Sequence, residues 1–339
     1  MKNRNSRLSY PFKYLKSLSA YRREAGPRPV SAALAVTNRC NLRCEYCNTP
    51  FLSYEDEMNL EQVKVVIRNL KSSGVVRLGL TGGEPLLRKD IDDIIKFGKS
   101  LGMFVTVNSN LLLYSKNRHK LDEADLLFTS IDGVESDHKK HRGINSYKGL
   151  LQALELVKED NKKLVAICVV SDENVNSAMK VLDLAEEYSF SVHFQARCFD
   201  TAIVRGQPSK AFSNSQAALS EFWRNLSVEK KKKRPVASSR IYLENMAVWP
   251  DYRKTSTFEP GKRCAAGYGF LYVDPAGLAW PCAYTKSKTA AIDLKKANWS
   301  ETFSGKTPCN SCIVGPHLEF SLLYNEPLRA AYNAASNYF

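Results

Sequence analysis

The sequence predicts an α/β fold: a partial (β/α)6 TIM-like barrel followed by a small, cysteine-rich β-hairpin/helix domain. Three observations carry this. Strand-like and helix-like segments alternate from residue 31 to about residue 200, the pattern of parallel strands covered by helices. Cys40, Cys44 and Cys47 follow the first strand at once, where a (β/α) barrel keeps its active-site loops. After residue 200 the alternation stops, and a turn-rich segment carries four more clustered cysteines. An open doubly wound sheet is the competing reading; the place of the first cysteine group decides against it.

Taken in order, Ser31 to Thr37 is short and apolar, a strand. Leu60 to Leu70 has helical apolar spacing and ends at Gly74. Val75 to Leu80 is the second strand, broken by Thr81-Gly82-Gly83-Glu84-Pro85. Asp90 to Leu101 is a helix with Asp90 at its N-cap. Phe104 to Val107 and Asp125 to Ile131 are the third and fourth strands. Ser146 to Glu159 is a helix capped by Ser146, Leu164 to Val170 a strand, Val175 to Tyr188 a helix, and Ser191 to Gln195 the sixth strand. Asn214 to Val228 and Ile241 to Trp249 read as helices around the basic run Lys230 to Arg234, which reads as a solvated linker. Phe270 to Val273 and Leu278 to Trp280, joined by Asp274-Pro275-Ala276-Gly277, read as a hairpin. Leu318 to Asn333 reads as a closing helix interrupted near Pro327. The expected organisation is a basic N-terminal arm (1–30), the barrel (31–200), a helical and basic linker (201–255) and the cysteine-rich domain (256–339).

Composition bounds the partners. Hydrophobic residues make up 44% of the 339 residues, enough for a core, so the chain is globular rather than disordered. No apolar run approaches the roughly 18 residues of a membrane span, and no secretory signal opens the chain. A cytoplasmic location is expected. The net charge of +14 suggests a phosphorylated small molecule, a membrane surface or a nucleic acid, of which nucleic acid is the least expected. Residues 1 to 23 hold seven basic residues and no acid, with Tyr10, Tyr14, Leu18 and Tyr21 at helical spacing. This arm suits either a helix closing the barrel or peripheral contact with an anionic membrane.

Clustered cysteines in such a chain point to metal or catalysis before disulfides. Cys40, Cys44 and Cys47 offer three thiolates within eight residues. A fourth would close a [4Fe–4S] cluster; three leave one iron able to bind something else. Zinc is the alternative, but it favours paired Cys-x-x-Cys ligands. Cys168 sits in an apolar run and reads as a buried hydrophobe.

The Cys-x3-Cys-x2-Cys loop with Tyr46, the Gly82-Gly83-Glu84-Pro85 motif after the second strand, and Ser130-Ile131-Asp132-Gly133 with His138 and Arg142-Gly143 resemble, in this order, the radical S-adenosylmethionine (SAM) superfamily. The match covers residues 31 to about 195. The resemblance implies that Cys40, Cys44 and Cys47 hold a [4Fe–4S] cluster whose open iron chelates SAM. Reductive cleavage of SAM would then give a 5′-deoxyadenosyl radical that abstracts hydrogen from substrate. It further implies SAM contacts from Tyr46, Gly82, Gly83, Glu84, Asn108, Ser130 and Arg142. This chain has Asn108-Ser109 where the family often has Asn-Gly, which makes Asn110 a substitute for Asn108. A flavodoxin- or ferredoxin-type electron donor is implied as partner.

Cys264 and Cys282 flank the hairpin, and Cys309-Asn310-Ser311-Cys312 follows. By spacing alone, four such thiolates close either a [4Fe–4S] cluster or a structural zinc site. The arrangement resembles the twitch domain, a shortened SPASM-type extension of radical SAM enzymes, which implies a second, auxiliary [4Fe–4S] cluster with no open iron. Full ligation favours electron transfer, hence oxidation or dehydrogenation of a small molecule. The alternatives are crosslinking of a ribosomal peptide and redox-neutral modification, adenosylation or C–C bond formation on a lipid or phosphorylated substrate. His193, Gln195 and Arg197, on or just after the sixth strand, are candidate substrate residues, with Arg197 suited to an anion. No general base is evident.

Overall fold

The computed structural model describes residues 26–326 apart from 54, 144, 199–214, 258–261, 287–288, 306 and 308, together with positions 16, 19 and 23. The basic arm and the end of the closing helix beyond Glu326 lie largely outside the described residues.

Alternation is realised as β1 (Ser31–Thr37), α1 (Leu60–Ser72), β2 (Arg77–Gly82), α2 (Ile91–Ser100), β3 (Phe104–Asn108), β4 (Leu126–Ser130), α3 (Glu135–Arg142), α4 (Ser146–Glu159), β5 (Leu164–Val170), α5 (Val181–Glu187) and β6 (Ser191–Ala196). Then come α6 (Gln216–Lys231), α7 (Arg240–Ala247), β7 (Ser256–Thr257), β8 (Phe270–Val273), β9 (Leu278–Trp280), β10 (Ile292–Asp293), β11 (Ser311–Cys312) and α8 (Gly315–Asn325). Strands β1 to β6 pair in parallel and in sequence order. Their apolar residues are buried on both faces, as helix-covered parallel strands require.

Local chemistry explains the boundaries. Asn59 and Gln62 form a reciprocal capping box that starts α1. Asp90 occupies the N-cap of α2 but makes no cap bond. Its carboxylate pairs instead with Arg88, whose guanidinium also donates to the Val36 and Met58 carbonyls at 2.9 Å. Ser146 bonds Gly143 O rather than capping α4. The helix expected over 175–188 is split into Val175–Ala178 and α5, joined by i→i+3 turns from Ser177 to Asn174 and from Lys180 to Ser177.

The segment expected as a linker is part of the core. Trp223 of α6 and Tyr242 of α7 are fully buried, and Phe222 packs on Phe194 of β6 with ring centroids 5.6 Å apart. The two ends of the basic run are tied down, while Lys231, Lys232 and Lys233 are exposed; α6 extends through Lys231. Lys230 donates to Val236 O, and Arg234 pairs with Asp183, Glu186 and Glu229.

The hairpin is not a separate layer. β8 pairs in parallel with β1, giving one nine-stranded sheet in the order β10-β9-β8-β1-β2-β3-β4-β5-β6. Among the described residues the ladder stays open between its ends. α8 bridges that opening: Phe320 packs on Phe270 of β8, and Gly315 abuts His193 of β6. Glu319 fastens α8 to α7 by accepting from Ser239 N at 2.7 Å and Ser239 Oγ at 2.6 Å.

Candidate functional site

The three-cysteine loop leaves β1 and is held by the turn after β2. Gly83 N donates to Thr37 O at 2.7 Å and Glu84 N to Arg39 O at 2.8 Å. A Cβ on Gly82, whose φ is +127°, would fall 2.2 Å from Thr37 O; one on Gly83 would fall 2.1 Å from Arg39 O. Only glycine allows the two backbones to meet so closely. The glycines therefore serve the cysteine loop directly, a role beyond the SAM contact that the motif suggests.

Glu84 is fully buried. Its carboxylate accepts from Leu86 N at 3.0 Å, Ser109 Oγ at 2.8 Å and Asn110 N at 2.8 Å. Burial pushes its pKa up against these hydrogen bonds. Asn110 also donates to Asn41 Oδ1 inside the cysteine loop, so the ends of β2 and β3 both brace it. Asn108 and Ser130 end β3 and β4 on the same rim, each half-buried.

Tyr46, Asp132 and Arg142 form a triangle. Arg142 Nε donates to Asp132 Oδ2 at 2.6 Å, the Tyr46 hydroxyl donates to the same carboxylate, and Arg142 also bonds the Tyr46 oxygen. Burial would raise the Asp132 pKa, but the Arg142 charge together with the hydrogen bonds from Arg142 and Tyr46 outweighs it and holds the carboxyl below the usual range. Arg142 also approaches Cys44 Sγ at 4.0 Å. Burial pushes the Cys44 thiol up to about 11 against that cation's pull. Asp132 is the central residue, which the Ser130-Ile131-Asp132-Gly133 motif contains but to which it gave no role. Its partner Tyr46 lies 86 residues away, so no local pattern could have revealed the pair.

Arg197 is buried beside this triangle, stacked over the Tyr46 ring at 5.4 Å. It pairs with Glu173 at 3.5 Å and Glu45 at 4.0 Å. Its guanidinium is thus engaged in bracing the cysteine loop. His193 and Gln195 share the face of β6 opposite Phe194, as their alternation predicts, but α8 covers them. His193 bonds Ser238 Oγ at 3.1 Å, and a Cβ on Gly315 would lie 2.1 Å from its Nε2. His193 is thus buried under the start of α8 in this structure.

Cys264, Cys282, Cys309 and Cys312 line one cavity with Thr285, Thr307, Tyr284 and His317. Backbone amides two residues on donate to sulfur in both cysteine groups: Leu42 to Cys40, Ala266 to Cys264 and Tyr284 to Cys282, at 3.4 to 3.5 Å. Such donors favour thiolate over thiol, which is what metal ligation needs. Among the described residues, the only group of three or more metal-ligating side chains whose ligand atoms all fall within 4.8 Å of one another is Glu45, His141 and Glu173. Neither cysteine set is drawn that tightly. His317, whose Nδ1 lies 3.5 Å from Cys282 Sγ, was missed, although it follows the Cys-x-x-Cys pair by only five residues.

Fold and site together define an open α/β barrel with a three-thiolate loop at the C-terminal rim of its strands. The sequence model of the Radical SAM superfamily matches residues 34–185. These residues match the radical SAM domain, whose family uses SAM and a [4Fe–4S] cluster. Relatives include the Fe-coproporphyrin III synthase of Methanosarcina barkeri, 28% identical over 192 residues, with 55% of this chain and 47% of that protein covered. The sporulation killing factor maturation protein SkfB of Bacillus subtilis is 27% identical, with 75% and 60% covered. The PqqA peptide cyclase of Bradyrhizobium diazoefficiens is 25% identical, with 84% and 78% covered. The chain thus spans about half to three-fifths of the length of the first two. The fold is shared with Streptococcus suis SuiB bound to S-adenosylmethionine, at a TM-score of 0.65 and 16% identity over 83% of this chain and 67% of that one. It is also shared with anSMEcpe bound to AdoMet and a Cp18Cys peptide, at 0.63 and 18% over 88% and 84%. No described helix is long and apolar enough to cross a membrane.

Proposed function

We propose that this chain is a two-cluster radical SAM enzyme that oxidises a peptide substrate. Cys40, Cys44 and Cys47 would hold the SAM cluster, and Cys264, Cys282, Cys309 and Cys312 an auxiliary [4Fe–4S] cluster. The observation that carries the reading is the single cavity lined by those last four cysteines. When bound, SAM and the first cluster supply reductive SAM cleavage and hydrogen-atom removal, and a second cluster supplies an acceptor for the electron the substrate then loses. The chain's own part is to position and shield. Gly82 and Gly83 let the β2 turn seat the cysteine loop, while Glu84 and Asn110 lock that turn to the end of β3. Asp132, through Arg142 and Tyr46, fixes the loop from the β4 side. Asn108 and Ser130, at the strand ends on the rim, would help hold SAM. A flavodoxin- or ferredoxin-type protein would supply the starting electron.

Peptide is favoured as substrate because two of the relatives above are named for maturation of a killing factor and cyclisation of a peptide. Oxidation of a small molecule is the second reading, favoured by the likeness to the coproporphyrin-acting relative. The test is anaerobic turnover with dithionite and SAM on candidate peptides and small molecules deuterated at C–H positions. A peptide that loses two hydrogens and passes deuterium into 5′-deoxyadenosine is expected. Deuterium transfer from small molecules alone would replace the peptide reading, and no deoxyadenosine at all would overturn both.

A further inference from the structure

The cavity of the four cysteines holds one imidazole, and its orientation is fixed. His317 lies in the first turn of α8, its ring stacked on Phe270 of β8 with centroids 4.8 Å apart and planes 11° from parallel. Tyr284 meets it edge-on at 5.9 Å. Packed between a sheet residue and a loop residue, the ring directs Nδ1 at Cys282 Sγ, 3.5 Å away. The same sulfur accepts from Tyr284 N at 3.4 Å. Cys264 has different partners: Ala266 N at 3.5 Å, the Ser321 hydroxyl at 3.8 Å and the Thr307 side chain.

We propose that His317 donates a hydrogen bond from Nδ1 to the Cys282 thiolate and so raises the reduction potential of the auxiliary cluster, acting as a positioning residue and not as a ligand. This rests on reading the second site as a [4Fe–4S] centre. A metal-bound thiolate carries no proton, so it only accepts; the proton between the two atoms must therefore sit on Nδ1, which fixes the neutral ring's tautomer. Four cysteines already satisfy four irons, leaving no ligand position for the ring. A donor at sulfur stabilises the extra negative charge of the one-electron-reduced cluster more than the oxidised one, which moves the potential upward. A higher potential suits a centre that accepts an electron from substrate.

The test is a mediated redox titration followed by EPR on the full-length, doubly loaded protein. The auxiliary signal is the one that added SAM leaves unchanged, because only the other cluster has an open iron. Iron and zinc are counted first: a wild-type chain with zinc or no metal in the second site removes the cluster reading itself, before His317 is touched. With both clusters present, His317→Phe keeps a stacked ring without the donor and should titrate at a lower midpoint. His317→Asn places an amide donor near the Nδ1 position and should stay close to wild type. A His317→Phe midpoint equal to wild type, or His317→Asn falling as far as His317→Phe, overturns the proposal. Should His317→Phe fail to load, pulsed EPR of wild type labelled with 15N-histidine decides. A weak coupling from a hydrogen-bonded ring is expected; the strong coupling of a ligated ring, or none, overturns it.

Discussion

Replacing Gly83 with alanine tests how the barrel builds its cysteine loop. The added Cβ would lie 2.1 Å from Arg39 O, 2.6 Å from Arg39 C and 2.7 Å from Asn38 O. All three are backbone atoms of the segment leading into Cys40, so no side chain can swing away. Relief requires the β2 turn and the loop to separate. That strains or breaks the bonds from Gly83 N to Thr37 O and from Glu84 N to Arg39 O. Each is worth about 1 kcal/mol, and overpacking adds roughly 1–3 kcal/mol, for a loss of about 3–5 kcal/mol by denaturant titration. The reconstituted variant should hold about four irons in place of about eight and form no 5′-deoxyadenosine. Gly305→Ala, whose Cβ meets only Phe303 at 3.6 Å, is the control, expected within about 0.5 kcal/mol of wild type. Gly83→Ala protein with the stability, iron content and SAM cleavage of wild type would refute the reasoning.

Asp132→Asn leaves buried Arg142 without its counter-charge, and a loss of about 3 kcal/mol is expected in denaturant titration; a loss under about 1 kcal/mol would show that the triangle does not hold the loop. Burial raises the Glu319 carboxyl from 4.5 to about 7, so the folded chain binds this proton more tightly than the unfolded one. Its contribution is present below about pH 4.5 and is lost as pH rises through about 7, by up to about 3 kcal/mol. Glu319→Gln should flatten stability between pH 5.5 and 8 relative to wild type, and an unchanged profile would contradict the assignment. Gly315→Ala drives a Cβ against His193 and should cost about 1–3 kcal/mol. Adding His193→Ala should recover part of that loss, and strict additivity would argue against α8 seating on β6.

The parallel strands were legible because each is a short apolar run closed by a turn motif. β1 and β5 match their expected limits, and the hairpin of β8 and β9 was marked by its Asp-Pro-Ala-Gly turn. Chemistry tied to one loop was legible too, since the cysteine spacings and the double glycine are local. What escaped was everything made by distant contact. The role of Asp132 depends on Tyr46, and the burial of His193 depends on a helix that begins 122 residues later. The segment after β6 read as a linker because its basic run is exposed chemistry in sequence. In three dimensions Arg234 has three acidic neighbours, and Trp223 of the same segment is buried in the core. The continuity of the hairpin with the barrel sheet was not legible, because pairing of β8 with β1 crosses more than 200 residues.

The most direct test of two clusters on one chain is the iron content and Mössbauer spectrum of anaerobically reconstituted protein, wild type beside Cys309→Ala/Cys312→Ala. The account predicts about eight irons in two cubanes for wild type and about four for the variant, with SAM cleavage surviving in the variant. A wild-type chain holding about four irons, or zinc at the second site, would contradict it.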